Sequence, residues 1–182
     1  MRKFYFLGLA GLALAAWASV GVAQIKRLTL DEMMSLADHV VYGEIVGSRV
    51  EKRDDPVDGP DLYFTTLTLQ GTLLDTDNPI TVNVSYFGGF IGDDGVYNSE
   101  APSADDTKVG NKIVAFYRWN ENMGGGFASD QLCAMHGGLY RTAEGPSGAV
   151  ALGRGDGYAL TKNMKVDALK SAVQTIRKEQ KR

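Results

Sequence analysis

Cys133-Ala134-Met135-His136 sets a thiol and an imidazole three residues apart. Such a pair makes a nucleophile and its base only where the two side chains meet. On a strand, a spacing of three sends them to opposite faces, which argues against a Cys133–His136 hydrolase or redox centre. Zinc takes about four such ligands, and His39 is the one other histidine, so neither a zinc site nor any other cofactor is expected. Aspartates gather in three places: Asp54, Asp55, Asp58 and Asp61; Asp75-Thr76-Asp77-Asn78; and Asp93, Asp94, Asp105 and Asp106. Oxygen-rich loops suit calcium, and Asp93 and Asp94, between Gly92 and Gly95, are the best calcium candidates. The second run lacks the EF-hand glycine and has Pro79 at a ligand position. Solvated turns rich in turn-forming residues account for the same composition. Arg154-Gly155-Asp156 spells an adhesion tripeptide but, between Gly153 and Gly157, reads as a flexible turn. The aromatics Phe87, Phe90 and Tyr97 flank a long loop and are candidate binding residues for a peptide or sugar. Core packing accounts for Tyr86 and equally well for Phe87.

Strands and two helices must position these residues. Thr29-Leu30-Asp31-Glu32 reads as a capping box, and Leu30, Met33, Met34 and Ala37 then line one face of a short helix over 30–38. Residues 39–50 are β-rich, with Gly43 and Gly47 marking bends or bulges in a coiled strand. Residues 62–69 alternate, and Ile80, Val82, Val84 and Tyr86 make one face of the next strand. Residues 71–79 read as a turn, and 88–107 as an extended Gly/Asp-rich loop without periodicity. Residues 112–119 are apolar on both faces, which predicts a central strand. Shorter strands are expected around 131–135, 138–142 and 149–152. Val166, Leu169, Val173 and Ile176 recur at helical spacing, predicting an amphipathic helix over 163–180 that covers a sheet edge or a partner. The pattern predicts a mainly β fold: a small OB-fold-like antiparallel barrel of five to six strands, with a short N-terminal helix and the C-terminal helix. A β-sandwich is the alternative.

The N-terminus carries an address. Arg2 and Lys3 precede an apolar run from Phe4 to Trp17, and Gly21-Val22-Ala23 supplies the small residues a signal peptidase reads. Residues 1–23 are expected to be a signal peptide cut between Ala23 and Gln24, with Ala16-Trp17-Ala18 as a second cleavage reading and an uncleaved anchor as the alternative. Residues 24–182 would then form one exported domain, periplasmic or extracellular. Removing 23 of 182 residues leaves 159, enough for one domain with a sizeable core. Loss of Arg2 and Lys3 moves the formal charge from -3 to about -5. Without a broad basic surface, nucleic acid is not an expected partner. No later run reaches membrane length. Cys133 is the only cysteine, so no intrachain disulfide can brace the fold, and the thiol reads as a small buried hydrophobe.

Four stretches occur in a telling order. They are Ala37-Asp38-His39-Val40-Val41-Tyr42-Gly43-Glu44-Ile45-Val46, then Thr66-Leu67-Thr68-Leu69-Gln70-Gly71-Thr72-Leu73, then Lys108-Val109-Gly110-Asn111-Lys112-Ile113-Val114-Ala115-Phe116, then Asp130-Gln131-Leu132-Cys133-Ala134. In that order they resemble exported bacterial domains similar to the netrin-like and tissue-inhibitor-of-metalloproteinase families. The resemblance spans about residues 28–133 and implies an OB-fold barrel and, in some members, inhibition of metalloproteases. In the animal inhibitors a cysteine freed by signal cleavage chelates the protease zinc. Here Gln24 would come first and no cysteine lies near it, so that mechanism does not carry over. The expectation is an exported, non-enzymatic binding domain with a protein partner, of which an exported protease is one class, met through residues 88–107 and the barrel rim. A hydrolase or redox enzyme using Cys133 and His136 is one alternative. An envelope structural protein held by its N-terminus is the other.

Overall fold

The computed structural model describes residues 28–55, 57 and 59–180. The expected signal peptide over residues 1–23, its expected cleavage between Ala23 and Gln24, and Asp58 lie outside the described residues. The first element among the described residues is helix α1 (Leu30–Leu36), whose predicted capping box is present: Glu32 N donates to Thr29 Oγ1 at 3.2 Å, and Thr29 N donates to Glu32 Oε2 at 2.8 Å. The helix stops short of 38 because Ala37 is already extended and Asp38 N donates to Tyr117 O at 2.9 Å.

Five strands close the barrel: β1 (His39–Arg53), β2 (Leu62–Leu73), β3 (Pro79–Phe87), β6 (Lys112–Asn120) and β7 (Ser129–Leu132). Their order is β1-β2-β3-β7-β6, with β6 pairing back onto β1. The barrel is mainly β and OB-like as predicted, but mixed: β3 and β7 run parallel, Val84 beside Asp130. β1 bends at a bulge between Ile45 and Gly47 and so serves two neighbours, β6 with its first half and β2 with nearly all of its length. Gly43 is required there, since a Cβ would lie 2.6 Å from Gln70 O. β2 runs to Leu73, so the expected turn over 71–79 shrinks to the residues after it. β6 is central as expected, pairing with β1, β7 and β8 (Leu139–Gly145). β9 (Gly148–Ala151) and β10 (Met164–Lys165) continue the sheet outward.

Alternation divides the apolar residues into two cores. Val41, Ile45, Leu67, Leu69, Val82, Val84, Ile113, Ala115, Tyr117 and Leu132 fill the barrel. Val40, Val114 and Phe116 face outward from the same strands and, with Tyr140 of β8, meet Met33 and Met34 of α1 and Val166, Leu169 and Val173 of helix α2 (Val166–Gln180). Each buried aliphatic side chain contributes about 1.5–3 kcal/mol, so α2 is part of the fold. It starts later than 163 because Met164 and Lys165 pair with β9. Arg177 ties the helices together: its guanidinium donates to the carbonyls of Met34, Ala37 and Asp38.

Residues 88–107 are not a structureless loop. β4 (Gly89–Ile91) and β5 (Asp94–Val96) form a hairpin. The segment after it packs Ala101 against the barrel core and is stitched to the rest of the fold: Asn98 Nδ2 donates to Phe87 O at the end of β3, and Arg154 Nη2, in the loop after β9, pairs with Asp106 at 2.9 Å. Among the described residues no helix is long and apolar enough to cross a membrane.

Candidate functional site

The hairpin stands over the tip of the β1–β2 pair. A Cβ on Gly89 would strike Val50 and Thr65, so this face of the hairpin lies on the barrel. Lys52 Nζ holds Asp61 at 2.7 Å and Asp94 at 3.2 Å, and the Tyr63 phenol donates to Asp94. Those two bonds, Tyr63 first, hold the Asp94 carboxyl below the usual carboxylate range. Phe90 pairs across the hairpin with Gly95, and Tyr97 lies two residues farther on, so both share the outward face. They are 53% and 81% exposed, and Ile91 near the tip is 48% exposed. Phe87 is different. It is half-buried, edge-on to Phe64 with ring centroids 5.8 Å apart, and Phe64 stacks in turn near Phe127. Of the three candidate aromatics, two form a surface and one belongs to the packing beneath it.

Among the described residues, the calcium candidates Asp93 and Asp94 are not gathered with further acidic ligands. Asp94 is committed to Lys52 and Tyr63, and among the described residues no group of three or more His, Cys, Asp or Glu side chains is arranged to hold a metal. Cys133 and His136 also go separate ways. β7 ends at Leu132, and Ala134 and Met135 take left-handed conformations (φ 48° and 50°) before a 3₁₀ turn over Met135–Gly138. Cys133 turns into the outer core, its Sγ 3.7 Å from Leu36 O, and burial pushes its thiol up to about 12. A thiol held protonated at neutral pH is a poor nucleophile. His136 faces the other way, Nδ1 at 2.8 Å from Glu100 O and Nε2 at 2.9 Å from the Tyr158 hydroxyl. It ties Glu100, in the segment after the hairpin, to the 3₁₀ turn and to Tyr158. Arg154 is likewise not part of a free tripeptide loop, since it also donates to Leu139 O.

The opposite mouth of the barrel holds a cluster that sequence reasoning missed. The register sets His39 beside Tyr117 and Trp119 beside Asp130 on the inward-facing side of their strands. Asp75, in the turn after β2, accepts from His39 Nδ1 at 2.9 Å. A carboxylate can only accept, so Nδ1 carries the proton and Nε2 points away from the pair. The Asp75 side chain is 7% exposed and its Oδ1 is buried without a hydrogen-bond partner among the described residues. Asp38 Oδ2 accepts from Trp119 N at 2.8 Å. Burial raises the Asp130 carboxyl, and Asp38 adds to this while His39 opposes it. Burial, followed by Asp130, Asp75 and Asp38, pushes the Tyr117 phenol up strongly. Trp119 is 56% exposed at this rim.

Comparison with protein-family models, with curated proteins and with solved structures found no match to this chain. The site is therefore argued from its own geometry. The hairpin offers exposed aromatic surface on a rigid mount. The mouth offers carboxylates, an oriented imidazole and an exposed indole. Neither presents a nucleophile held against a base.

Proposed function

We propose that this chain is an exported, non-enzymatic binding domain that captures a polypeptide partner on its β4–β5 hairpin. The observation that carries the reading is the pair Phe90 and Tyr97, both exposed on the outward face of a hairpin pinned by Lys52, Tyr63 and Asp94. Aromatic side chains on a pre-organised element recur as interface anchors, because little conformational entropy is lost when they are covered. The surroundings name the partner's chemistry. Lys52 and Arg53 are already paired, with Asp61, Asp94 and Glu51, while Asp54 and Asp93 carry charge at exposed positions. An apolar patch with an acidic rim suits a partner whose apolar contact is ringed by Lys or Arg. The N-terminal sequence pattern supports export, and the resemblance to netrin-like domains supports a protein partner such as an exported protease.

The test is co-purification from the exported fraction with the wild type and with a Phe90→Ser/Tyr97→Ser double variant. Deleting residues 88–107 is the wrong control, since Ala101 and Asp106 of that segment hold the barrel. The account expects one protein to be retained by the wild type, lost with the double variant, and bound again after its own purification. Equal retention by both chains would remove the hairpin from the interface.

A further inference from the structure

We infer that the barrel mouth formed by His39, Asp75, Trp119 and Asp130 is a binding site for an organic cation, a primary ammonium or guanidinium group. This goes beyond the hairpin reading, because the mouth lies at the other end of the barrel. Four observations meet here. First, three carboxylates gather around Tyr117: Asp75 bonds His39, whose ring lies 5.7 Å from the Tyr117 ring, Asp38 accepts from Trp119 N, and Asp130 lies across from Trp119 in the register. Second, Asp75 is more than nine-tenths buried beneath His39, yet its Oδ1 has no hydrogen-bond partner among the described residues. A buried charged acceptor left unmatched is costly and is rare in native structures. Third, the Asp130 carboxylate also accepts no hydrogen bond among the described residues, although burial disfavours its charge. Fourth, Trp119 stands directly across from Asp130 in the β6–β7 register and exposes 56% of its surface.

These parts fit one ligand chemistry. An indole face attracts a cation, and the neighbouring carboxylate of Asp130 can accept its N–H donors in charge-assisted hydrogen bonds. Asp75, deeper in the mouth, adds negative potential in a region of reduced dielectric, and its bond to His39 Nδ1 fixes the imidazole as part of the wall. An anion would meet three carboxylates. A neutral sugar would stack on Trp119 but would leave the excess negative charge unmatched. A divalent metal is disfavoured, since the described residues hold no cluster of three ligands arranged for one. The cation's source is either a free amine or the side chain of a lysine or arginine in a peptide.

The sequence has two tryptophans, Trp17 and Trp119, so a Trp17→Phe chain gives one indole N–H signal by NMR. That chain is titrated with n-butylammonium, with n-butanol as a neutral match, and with a capped Gly-Lys-Gly peptide. The inference expects a saturable shift of the Trp119 signal with both cations and none with butanol. Tighter binding of the peptide assigns the source to polypeptide side chains, and equal binding assigns it to free amines. Asp130→Asn should weaken binding about tenfold, and Asp167→Asn on α2 should leave it unchanged. Both variants keep a side chain of the same size at positions outside the two cores, and an unchanged amide spectrum elsewhere confirms their folding. No saturable shift, an equal shift with butanol, or undiminished binding to Asp130→Asn would each overturn the inference.

Discussion

The two ends of the barrel handle charge in opposite ways. At the hairpin end, Asp61 and Asp94 share Lys52, Asp106 faces Arg154, and Glu51 holds Arg49 and Arg53. On that mount the hairpin exposes the apolar side chains of Phe90, Ile91 and Tyr97. At the mouth, Asp75 Oδ1 and the Asp130 carboxylate have no hydrogen bond among the described residues, and His39 bonds the other Asp75 oxygen. Paired charges give the first end a fixed geometry on which an aromatic surface can be mounted. Unpaired charges give the second end an unmet demand for a cation. A folded chain tolerates such unmet demand at a cost in stability, and that cost is commonest where binding or catalysis needs it.

Substitutions can break this contrast. The largest effect is expected for Phe64→Ala beneath the hairpin end. Phe64 is fully buried between Phe87 and Phe127, and its loss should cost about 4 kcal/mol in urea unfolding. A much smaller loss would show that the aromatic stack does not mount the hairpin. Arg154→Ala should follow, at about 3 kcal/mol, because it strands Asp106 in a part-buried position. Burial alone would raise the Asp106 carboxyl, but the Arg154 hydrogen bond and charge, with help from Ser103 and Arg141, outweigh burial and lower it. A lowered folded value means this stabilisation is present above the ordinary carboxylate range and is lost as the pH falls through the folded value. Wild-type and Arg154→Ala stabilities should therefore converge on acidification, and curves that stay parallel would contradict the pairing.

At the mouth the sign reverses. The folded Asp130 carboxyl is raised, so its proton-linked stability is complete below the ordinary value of 3.8 and is lost as the pH rises through the raised folded value. Asp130→Asn should be more stable than the wild type at neutral pH, with the gain shrinking toward zero in acid. A loss of stability at neutral pH would place Asp130 among the structural carboxylates instead. The smallest effect belongs to the hairpin surface. Phe90→Ser with Tyr97→Ser should change unfolding by no more than about 0.5 kcal/mol, since both rings stand in solvent. Reagent labelling adds a check on the core: Cys133 should react with iodoacetamide only as the chain unfolds.

Much of the fold was legible because it is written in local periodicity. The alternation of Ile80, Val82, Val84 and Tyr86, the Thr29 capping box and the spacing of Val166, Leu169 and Val173 each predict one element, and each forms. The hairpin was not legible, because its strands are three residues long and too short to show a period. The parallel closure of β3 on β7 joins segments 46 residues apart at Val84 and Asp130, which no local pattern reveals. The mouth was hidden for the same reason. His39 and Asp75 are 36 residues apart, and Trp119 reads as one more apolar residue of a central strand until β6 is seen to run past the start of β1 into solvent. Asp93 and Asp94 were the most conspicuous acidic pair, yet Asp94 is a strut, because Lys52 is 42 residues away in sequence and 3.2 Å away in space.

The central claim, that the hairpin is the surface a partner covers, is tested most directly by hydrogen–deuterium exchange. The chain is compared alone and with the purified protein that Phe90 and Tyr97 retain. The account predicts slowed exchange at the amides of Gly89–Ile91 and Asp94–Val96, with α2 and β9 unchanged. Protection of α2 or β9, with the hairpin exchanging as in the free chain, would contradict it.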